Sequence, residues 1–471
     1  MTYAHTYSGT RTREPSPREL EHGRLARRAA AGGIVLLKNT GTLPLDLSAP
    51  VALFGSGASR TVKGGIGSGD VNNRANVSIC QGLKDAGLRL TSENWLEDYE
   101  ARYHAARAAW KQKVLEAARW VENPFDAYAA NPFVLPQGRP IVPQDVQGAA
   151  AAIYVLSRIA GEGKDRRLEK GDYYLSDGEW NDLRTLDRLG LPIVLLINAG
   201  GPVELTDLLD GAVHIEAVLQ LSQLGQEGGH AVADVLLGKA TPEGKLTATW
   251  ARRYTDYPCA ESFSYLDGDL EKAVYREGIY VGYRYFDSFG VQPLFPFGYG
   301  LSYTDFSLRF AGLRVGADAI EVDVEVENAG ICFSGREVAQ VYISCPQNGG
   351  AKELRRLAGF AKTRLLAPEQ RQTLTICIPQ KQLATFAAQK QGWVVEQGLY
   401  GVWVGNSSAA VTLCAQIRVD ADTVIEQTHP ICPLRQPLDE LGAADAAQKE
   451  AAHPAGLPVY GFCPRPEPRP E

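Results

Sequence analysis

The residues best suited to chemistry lie in a charged, glycine-rich stretch, "SRIAGEGKDRRLEKGD" (157–172), which follows the apolar run "AAIYVL" (151–156). Glu162 stands between two glycines of this stretch, and several lysines and arginines follow it. A carboxylate on a flexible loop can act as a general acid or base when a substrate is brought to it. On spacing alone, the alternative is a solvated loop carboxylate with no catalytic part.

A second glycine-rich stretch, "LFGSGASRTVKGGIGSGDVNNR" (53–74), also begins at the end of an apolar run. Nucleotide binding is one interpretation, but the stretch has no G-x-x-x-x-G-K-[ST] motif, and "GSGASR" lacks the third glycine of G-x-G-x-x-G. The other interpretation is a backbone that approaches a polar ligand closely, with Lys63, Ser68 and Asp70 as donors and acceptors. A purely structural turn is the plain alternative.

The surrounding elements place both loops at one edge of a sheet. Short apolar runs alternate with helical segments between residues 20 and 302, the pattern of a parallel α/β sheet covered by helices. "SPRE" (16–19) predicts a capped helix start, and Ser176 with Glu179 predicts another. Ligands of such sheets bind beyond the carboxyl ends of the strands, so the two loops are expected to meet there.

The other parts of the chain are distinguished by the spacing of their apolar residues. Residues 95–120 predict a long helix, and a proline-rich loop follows it. From 303 to 420 apolar residues alternate with polar ones between turns, as in a small β-sandwich. Residues 1–19 are expected to be a polar leader, and the proline-rich 421–471 a linker or extended arm.

The charge and the cysteine and histidine content argue against several classes of partner and cofactor. The net charge of −7 argues against a nucleic-acid or anionic-membrane surface. The leader has no apolar signal region, and the eight cysteines are scattered without metal-ligand spacing, so we expect free thiols in a reducing cytoplasm. No metal or organic cofactor is expected, and none of the seven histidines is given a role.

Five motifs in order resemble glycoside hydrolase family 3, in its β-glucosidase type with rearranged domain order. They are "AAAGGIVLLKNTGTLPL" (29–45), "KGGIGSGDVN" (63–72), "SRIAGEGKDRR" (157–167), "GQEGGHAVADVLLGKATPEGKLTATW" (225–250) and "YREGIYVGYRYFDSFGVQPLFPFGYGLSYTDF" (275–306). The resemblance implies that family's α/β sandwich over 20–302, with a mainly parallel sheet. The segments "GREVAQVYIS", "LAGFAKT" and "WVVEQGLYGVWVGNSS" resemble its fibronectin type III-like domain, placed at 303–420.

The resemblance also implies a reaction. Most members of the family are retaining, exo-acting β-glucosidases or related enzymes, and "GEGKDR" matches their acid/base motif, which gives that role to Glu162. The "GSGD" loop resembles one that borders the sugar subsite, which makes Ser68 a ligand contact. We further assign substrate contacts to the neighbouring polar residues Lys63, Asp70, Asp165 and Arg166.

The sequence departs from the family in one large respect. No (β/α)₈ repeat is found, although a barrel of about 250 residues supplies the family's aspartate nucleophile. We therefore expect the chain to act with a TIM-barrel domain, in cis or in trans, on a β-glycoside or oligosaccharide. Residues 421–471 would then lead toward that barrel, and the chain alone would be inactive.

Two other interpretations stay open. The chain could be a stand-alone module that binds carbohydrate or a protein partner through the face that would have met the barrel. A soluble monomer would favour this module, whereas a fragment with an exposed apolar patch on that face could associate into homo-oligomers. Activity without a barrel would need a second carboxylate, for which Asp70 is the candidate. Within the loop, Asp165 and Glu169 are expected to pair with the nearby cations. Without a barrel carboxylate beside it, Glu162 is expected to have an ordinary pKa.

Overall fold

The computed structural model describes residues 14–161, 166–269, 271–348, 352–429 and five short stretches of the tail (431–432, 436, 438–442, 444–446 and 456–466). The chain forms two compact units. The first comprises the described residues of 1–34, 38–201 and 213–240, and the second comprises 35–37, 202–212 and the described residues of 241–471. Among the described residues, no helix is long and apolar enough to cross a bilayer.

The domain bounds expected from the sequence, 20–302 and 303–420, stay predictions. Residues 241–302, which we expected to complete the α/β domain, group with the second unit. Their described part contributes no strand to the parallel sheet and holds only short helical turns and the helix Tyr283–Phe289.

A five-stranded sheet is formed by β1 (Val35–Asn39), β2 (Val51–Phe54), β3 (Ala151–Ser157), β4 (Ile193–Asn198) and β5 (Ile215–Gln220). Its strand order is β1-β5-β4-β3-β2. Strands β2 to β5 belong to the first unit, whereas residues 35–37 of β1 group with the second. β2, β3, β4 and β5 pair in parallel, and every residue of β2, β3 and β4 is buried. Strands covered on both faces read as continuous apolar runs, which is how the sequence predicted them. The α/β class with a mainly parallel sheet is confirmed.

Two helices of the first unit begin at the start signals predicted from the sequence. The helices of this unit are α1 (Pro17–Gly33), α2 (Ile79–Asp85), α3 (Glu93–Ala117), α4 (Pro124–Ala130), α5 (Asp177–Arg188) and α6 (Gly228–Leu236). In α1 the Ser16 hydroxyl accepts from the Glu19 N–H at 3.3 Å, and the Ser16 N–H donates to the Glu19 carboxylate at 2.7 Å. α5 has the same capping box, so both predicted boxes are confirmed.

The predicted long helix is α3, and its first turns face the core. Trp95 and Tyr99 are buried and stack with ring centroids 5.5 Å apart, while Phe54 meets Trp95 edge-on at 5.3 Å. The following stretch was predicted to be loop throughout, but it contains α4. Asn123 caps that helix and Pro124 occupies its first turn, a combination that starts a helix.

The second unit is rich in β-structure, as the fibronectin type III-like resemblance predicted. It contains α7 (Tyr283–Phe289) and the strands β6 (Phe306–Val315), β7 (Ala319–Asn328), β8 (Val338–Ser344), β9 (Arg356–Lys362), β10 (Arg371–Pro379), β11 (Thr385–Ala387), β12 (Gly392–Val395), β13 (Gly398–Gly405), β14 (Val411–Val419), β15 (Thr423–Gln427) and β16 (Val459–Phe462). They form sheets ordered β10-β7-β6, β11-β12-β15 and β16-β14-β13-β8-β9. Alternate residues of β7 (Val322, Val324, Val326) are fully buried, which confirms the period of two.

The tail, residues 421–471, includes two β-strands. β15 pairs antiparallel with β12, and β16 pairs in parallel with β14, where Gln416 faces Val459. The prediction that 421–471 forms only a linker or arm is therefore wrong for these two strands. A four-residue strand such as "VYGF" is too short to show a period, and it is stabilised by its partner strand rather than by its own sequence.

Candidate active site

The site lies in the first unit, where β2 and β3 end. Because the two strands are parallel and adjacent, the loops that leave Phe54 and Ser157 start from the same edge of the sheet. Gly55 follows β2 with a φ of 95°, and a Cβ there would lie 2.2 Å from the carbonyl oxygen of Val155. Only glycine fits so close to the neighbouring strand.

The two glycine-rich loops meet, as expected from their positions on the sheet. Ile66 and Gly161 form an isolated parallel bridge, and the Ile66 N–H donates to the carbonyl of Ala160 at 3.1 Å. A Cβ on Gly161 would lie 1.9 Å from Cγ1 of Ile66, so the contact requires glycine at this position. Gly161 directly precedes Glu162 in the sequence. The contact therefore joins the first loop to the residue before the predicted acid/base.

Two of the predicted site residues lie outside the described residues. Glu162 and Asp165 belong to 162–165, and their roles and the ordinary pKa expected for Glu162 stay predictions. Ser68 lies in a single 3₁₀ turn, Gly67–Gly69, directly after Ile66. This places its backbone next to the bridge with Gly161.

Lys63 and Asp70 pair with each other across the base of the first loop. The Lys63 ammonium lies 3.4 Å from a carboxylate oxygen of Asp70 and also donates to the carbonyl of Val71. The pair closes the turn that carries Ser68. The sequence assigned both residues to substrate contact but gave no sign that they face one another.

Asp172 is the partner of Arg166, the remaining predicted site residue. One Asp172 carboxylate oxygen accepts from Nε of Arg166, and the other accepts from the Arg167 N–H at 2.7 Å. Nη2 of Arg166 donates to the Asp172 carbonyl at 2.9 Å. The expected pairing of Glu169 with a loop cation is observed with Arg167, at a looser 3.7 Å. The role of Asp172 was missed, because its partners are five and six residues away in an irregular loop.

Arg158 and Glu179, neither of which was predicted, hold the base of the second loop. The Arg158 side chain is only 4% exposed and meets the Glu179 carboxylate with two hydrogen bonds, of 2.6 and 2.9 Å. The Glu179 carboxylate also completes the capping box of α5, where it accepts from the Ser176 N–H. The capping box was visible in the sequence, but the second partner of its carboxylate, 21 residues upstream, was not.

Asn198 joins the ends of three strands. This fully buried residue ends β4; its amide nitrogen donates to the carbonyls of Val62 (2.9 Å) and Ser222 (2.8 Å). Its amide oxygen accepts from the Val62 N–H at 2.7 Å and from the Ser157 hydroxyl at 3.0 Å. A polar residue that closes the apolar run "PIVLLIN" is the only signal of this role in the sequence.

The first loop also rests on the start of α6. The Gly225 N–H donates to the carbonyl of Lys63 at 2.9 Å.

His230, in the first turn of α6, lies between two carboxylates. Its Nδ1 is 2.8 Å from Glu227, and its Nε2 is 2.9 Å from Asp85 of α2. Burial lowers the pKa of His230, but these hydrogen bonds outweigh it and raise the pKa above the ordinary value. Since carboxylates only accept, both bonds form when both ring nitrogens carry protons.

The chain matches two family descriptions. Residues 34–283 match the glycosyl hydrolase family 3 C-terminal domain, and residues 337–408 match a fibronectin type III-like domain. A β-glucosidase of Ruminococcus albus is 34% identical over 423 residues, which cover 86% of this chain and 42% of that protein. β-Glucosidase A of Butyrivibrio fibrisolvens is 32% identical, with 95% of this chain and 57% of that protein covered.

Solved structures give the same result. β-Glucosidase 3B from Thermotoga neapolitana in complex with glucose superposes with a TM-score of 0.74 at 36% identity, covering 87% of this chain and 55% of that one. A β-glucosidase from Paenibacillus barengoltzii gives a TM-score of 0.77 at 34% identity, covering 89% and 45%. The chain thus spans about half the length of the relatives that it matches.

Proposed function

Because this chain belongs to glycosyl hydrolase family 3, we propose that it is the acid/base-supplying part of a retaining, exo-acting β-glucosidase-like hydrolase. Its substrate would be the terminal, non-reducing β-D-glycosyl residue of a β-glycoside or oligosaccharide. The nucleophile would be an aspartate on a TIM-barrel domain, in the same polypeptide or in a second chain. Without that domain the chain is expected to be inactive.

One observation supports the proposal above the rest: the bridge between Ile66 and Gly161. It joins the residue before Glu162 to the loop that carries Ser68, at the edge of the sheet where ligands of α/β folds bind. An acid/base acts only if it meets the glycosidic oxygen while the sugar is held. We propose that Lys63, Ser68 and Asp70 contact the sugar from the first loop, and that Asp165 and Arg166 contact it from the second loop.

The proposed reaction has two steps. In the first, the nucleophile attacks the anomeric carbon while Glu162 gives its proton to the leaving oxygen. In the second, Glu162 takes a proton from the water that attacks the glycosyl-enzyme intermediate. In retaining enzymes the two carboxyl groups lie about 5–5.5 Å apart, so the negative nucleophile would raise the pKa of Glu162 once the barrel is in place.

Glu162 must be protonated before the first step, although its sequence neighbours include several cations. A free cation close to a carboxylate lowers its pKa. Arg166 is paired with Asp172, Arg158 with Glu179 and Lys63 with Asp70. These pairings support the proposal, because they remove three positive charges that would oppose protonation.

The test is Glu162→Gln in the natural enzyme, meaning the polypeptide or complex in which this chain occurs in its source cells. We expect kcat/KM for an alkyl β-glucoside, a poor leaving group, to fall by about 10²–10⁴-fold. A dinitrophenyl β-glucoside needs no protonation to leave, and its kcat/KM should change far less. Glu169→Gln, the same substitution on an exposed residue of the same loop, is the control. Equal effects of the two variants would contradict the proposal, and hydrolysis by the isolated chain would contradict its dependence on a barrel.

A further inference from the structure

The segment that carries Glu162 is held at both ends by one residue. Arg158 precedes the segment and Arg166 follows it. Nε of Arg158 donates to the carbonyl oxygen of Asp172 at 2.6 Å, and Nη2 of Arg166 donates to the same oxygen at 2.9 Å. Both ends of the segment between the two arginines therefore meet at Asp172.

Arg158 is fully engaged in this contact. Besides the Asp172 carbonyl, its guanidinium donates to the carbonyls of Ser157 (2.9 Å) and Tyr174 (3.3 Å) and to both oxygens of Glu179. Each of its five N–H groups thus has an acceptor. A buried arginine with a carboxylate partner and no unused donor is a rigid anchor, and removing either partner leaves an uncompensated buried charge.

Asp172 adds a second constraint through its carboxylate. One oxygen accepts from Nε of Arg166, and the other accepts from the Arg167 N–H at 2.7 Å. The carboxylate thereby neutralises Arg166 and fixes the backbone just beyond it. One residue carries out two tasks, closing the base of the segment and cancelling a charge four positions from Glu162.

We propose that Arg158 and Asp172 are positioning residues for the acid/base of the hydrolase. Neither touches substrate; they hold the two ends of the Glu162 segment, and Asp172 also neutralises Arg166. This inference rests on the proposed function, because it gives these residues a part in the proton transfer of Glu162. A displacement of about 1 Å in such a group can cost on the order of 10²-fold in rate.

The test compares Arg158→Lys and Asp172→Asn with Asp177→Asn in the natural enzyme. Asp177 is the matched control, since it pairs with Lys170 at 2.7 Å and both side chains are largely exposed. For the two test variants, kcat/KM toward an alkyl β-glucoside should fall by about 10–100-fold. Toward a dinitrophenyl β-glucoside, kcat/KM of Arg158→Lys should fall by less than about threefold, because that leaving group departs without a proton. Asp172→Asn also disturbs Arg166, a proposed sugar contact, so part of its loss should be common to both substrates, and kcat/KM toward the alkyl β-glucoside should fall by about tenfold more.

The pH profile separates positioning from general damage. Asp172→Asn leaves Arg166 without its counter-charge, so the basic limb of the kcat/KM profile, where Glu162 loses its proton, should move to lower pH. Asp177→Asn should leave that limb in place. Asp172→Asn keeps the shape and the backbone acceptor of the natural residue, so it serves even if Arg158→Lys fails to fold.

Two results would overturn the inference. If Glu162→Gln loses activity selectively with the poor leaving group but Arg158→Lys and Asp172→Asn behave like Asp177→Asn, the positioning role is refuted while the proposed function stands. If Glu162→Gln itself shows no selective loss, the proposed function fails, and the inference fails with it.

Discussion

Asp182→Asn is expected to stabilise the protein above pH 7 and to leave its stability near pH 4 unchanged. Asp182 lies on α5, one turn beyond Glu179, and is only 6% exposed. Its carboxylate accepts from the Tyr154 hydroxyl of β3 at 3.1 Å. Burial raises the pKa of Asp182 from an ordinary 3.8 to about 7; the Tyr154 hydrogen bond lowers it, and the charge of Glu179 raises it further.

The direction in which the free energy of unfolding changes with pH follows from the number of protons bound by the folded and unfolded chains. Between about pH 4 and pH 7 the folded chain keeps the Asp182 proton that the unfolded chain has lost, so the free energy of unfolding falls as the pH rises. The difference of about three pKa units corresponds to an upper value of about 4 kcal/mol at pH 8, at roughly 1.4 kcal/mol per unit. Asparagine resembles the neutral acid, can still accept from Tyr154 and does not titrate.

The assay is urea unfolding at several pH values, followed by pulse-labelling hydrogen exchange of the peptide that covers α5. Labelling at one fixed pH after equilibration removes the pH dependence of exchange itself. The free energy of unfolding of Asp182→Asn should exceed that of the natural protein by a difference that grows from near zero at pH 4 to about 2–4 kcal/mol at pH 8. Asp177→Asn, an exposed site on the same helix, should show no such growth. A constant difference for Asp182→Asn across this range would refute the reasoning.

Three further variants test other contacts of the first unit. His230→Gln removes an imidazolium held between two carboxylates, whose stabilisation is fully present below pH 6.5 and is lost as the pH rises through the raised folded pKa. The thermal unfolding temperatures of variant and natural protein should therefore differ most near pH 5 and converge toward high pH, and a pH-independent gap would contradict this. Gly161→Ala places a Cβ 1.9 Å from Ile66 and should cost about 1–3 kcal/mol in urea unfolding, with partial recovery in the double variant with Ile66→Ala; full additivity would show that the two residues do not meet. Asn198→Ala leaves several buried backbone groups without a partner and should lower the free energy of unfolding, measured in urea, by about 2–5 kcal/mol. A loss below about 1 kcal/mol would show that Asn198 does not hold these strand ends together.

The sequence predicted those parts of the fold whose signals are local. Capping boxes at Ser16 and Ser176 place two helices because their partners are three residues away. The buried strands of the parallel sheet were recognisable from continuous apolar runs, and β7 from its period of two. β2, of equal length, is buried throughout, but β16 has only its last residue buried, so the pairing of β16 with β14 left no local signal in the sequence.

The candidate site was predictable only as two loops. Parallel strands bring their carboxyl ends to one edge, and this rule correctly predicted that the loops of Ile66 and Gly161 meet. The contacts that fix the loops join residues far apart in sequence, such as Val62 with Asn198 or Arg158 with Glu179. The charge of a residue and its position in the sequence do not identify which distant residue it will contact, so only the structure shows these pairs.

Chemical rescue of Glu162→Ala by azide in the natural enzyme, with a dinitrophenyl β-glucoside as substrate, tests whether Glu162 is the acid/base. Azide needs no general base, so it attacks the glycosyl-enzyme intermediate directly if Glu162 is the acid/base. We predict faster turnover and a glucosyl azide of β configuration by proton NMR, because two displacements retain the configuration. An α-glucosyl azide would make Glu162 the nucleophile, and a rate insensitive to azide would leave Glu162 without the proposed role; either result would contradict the account.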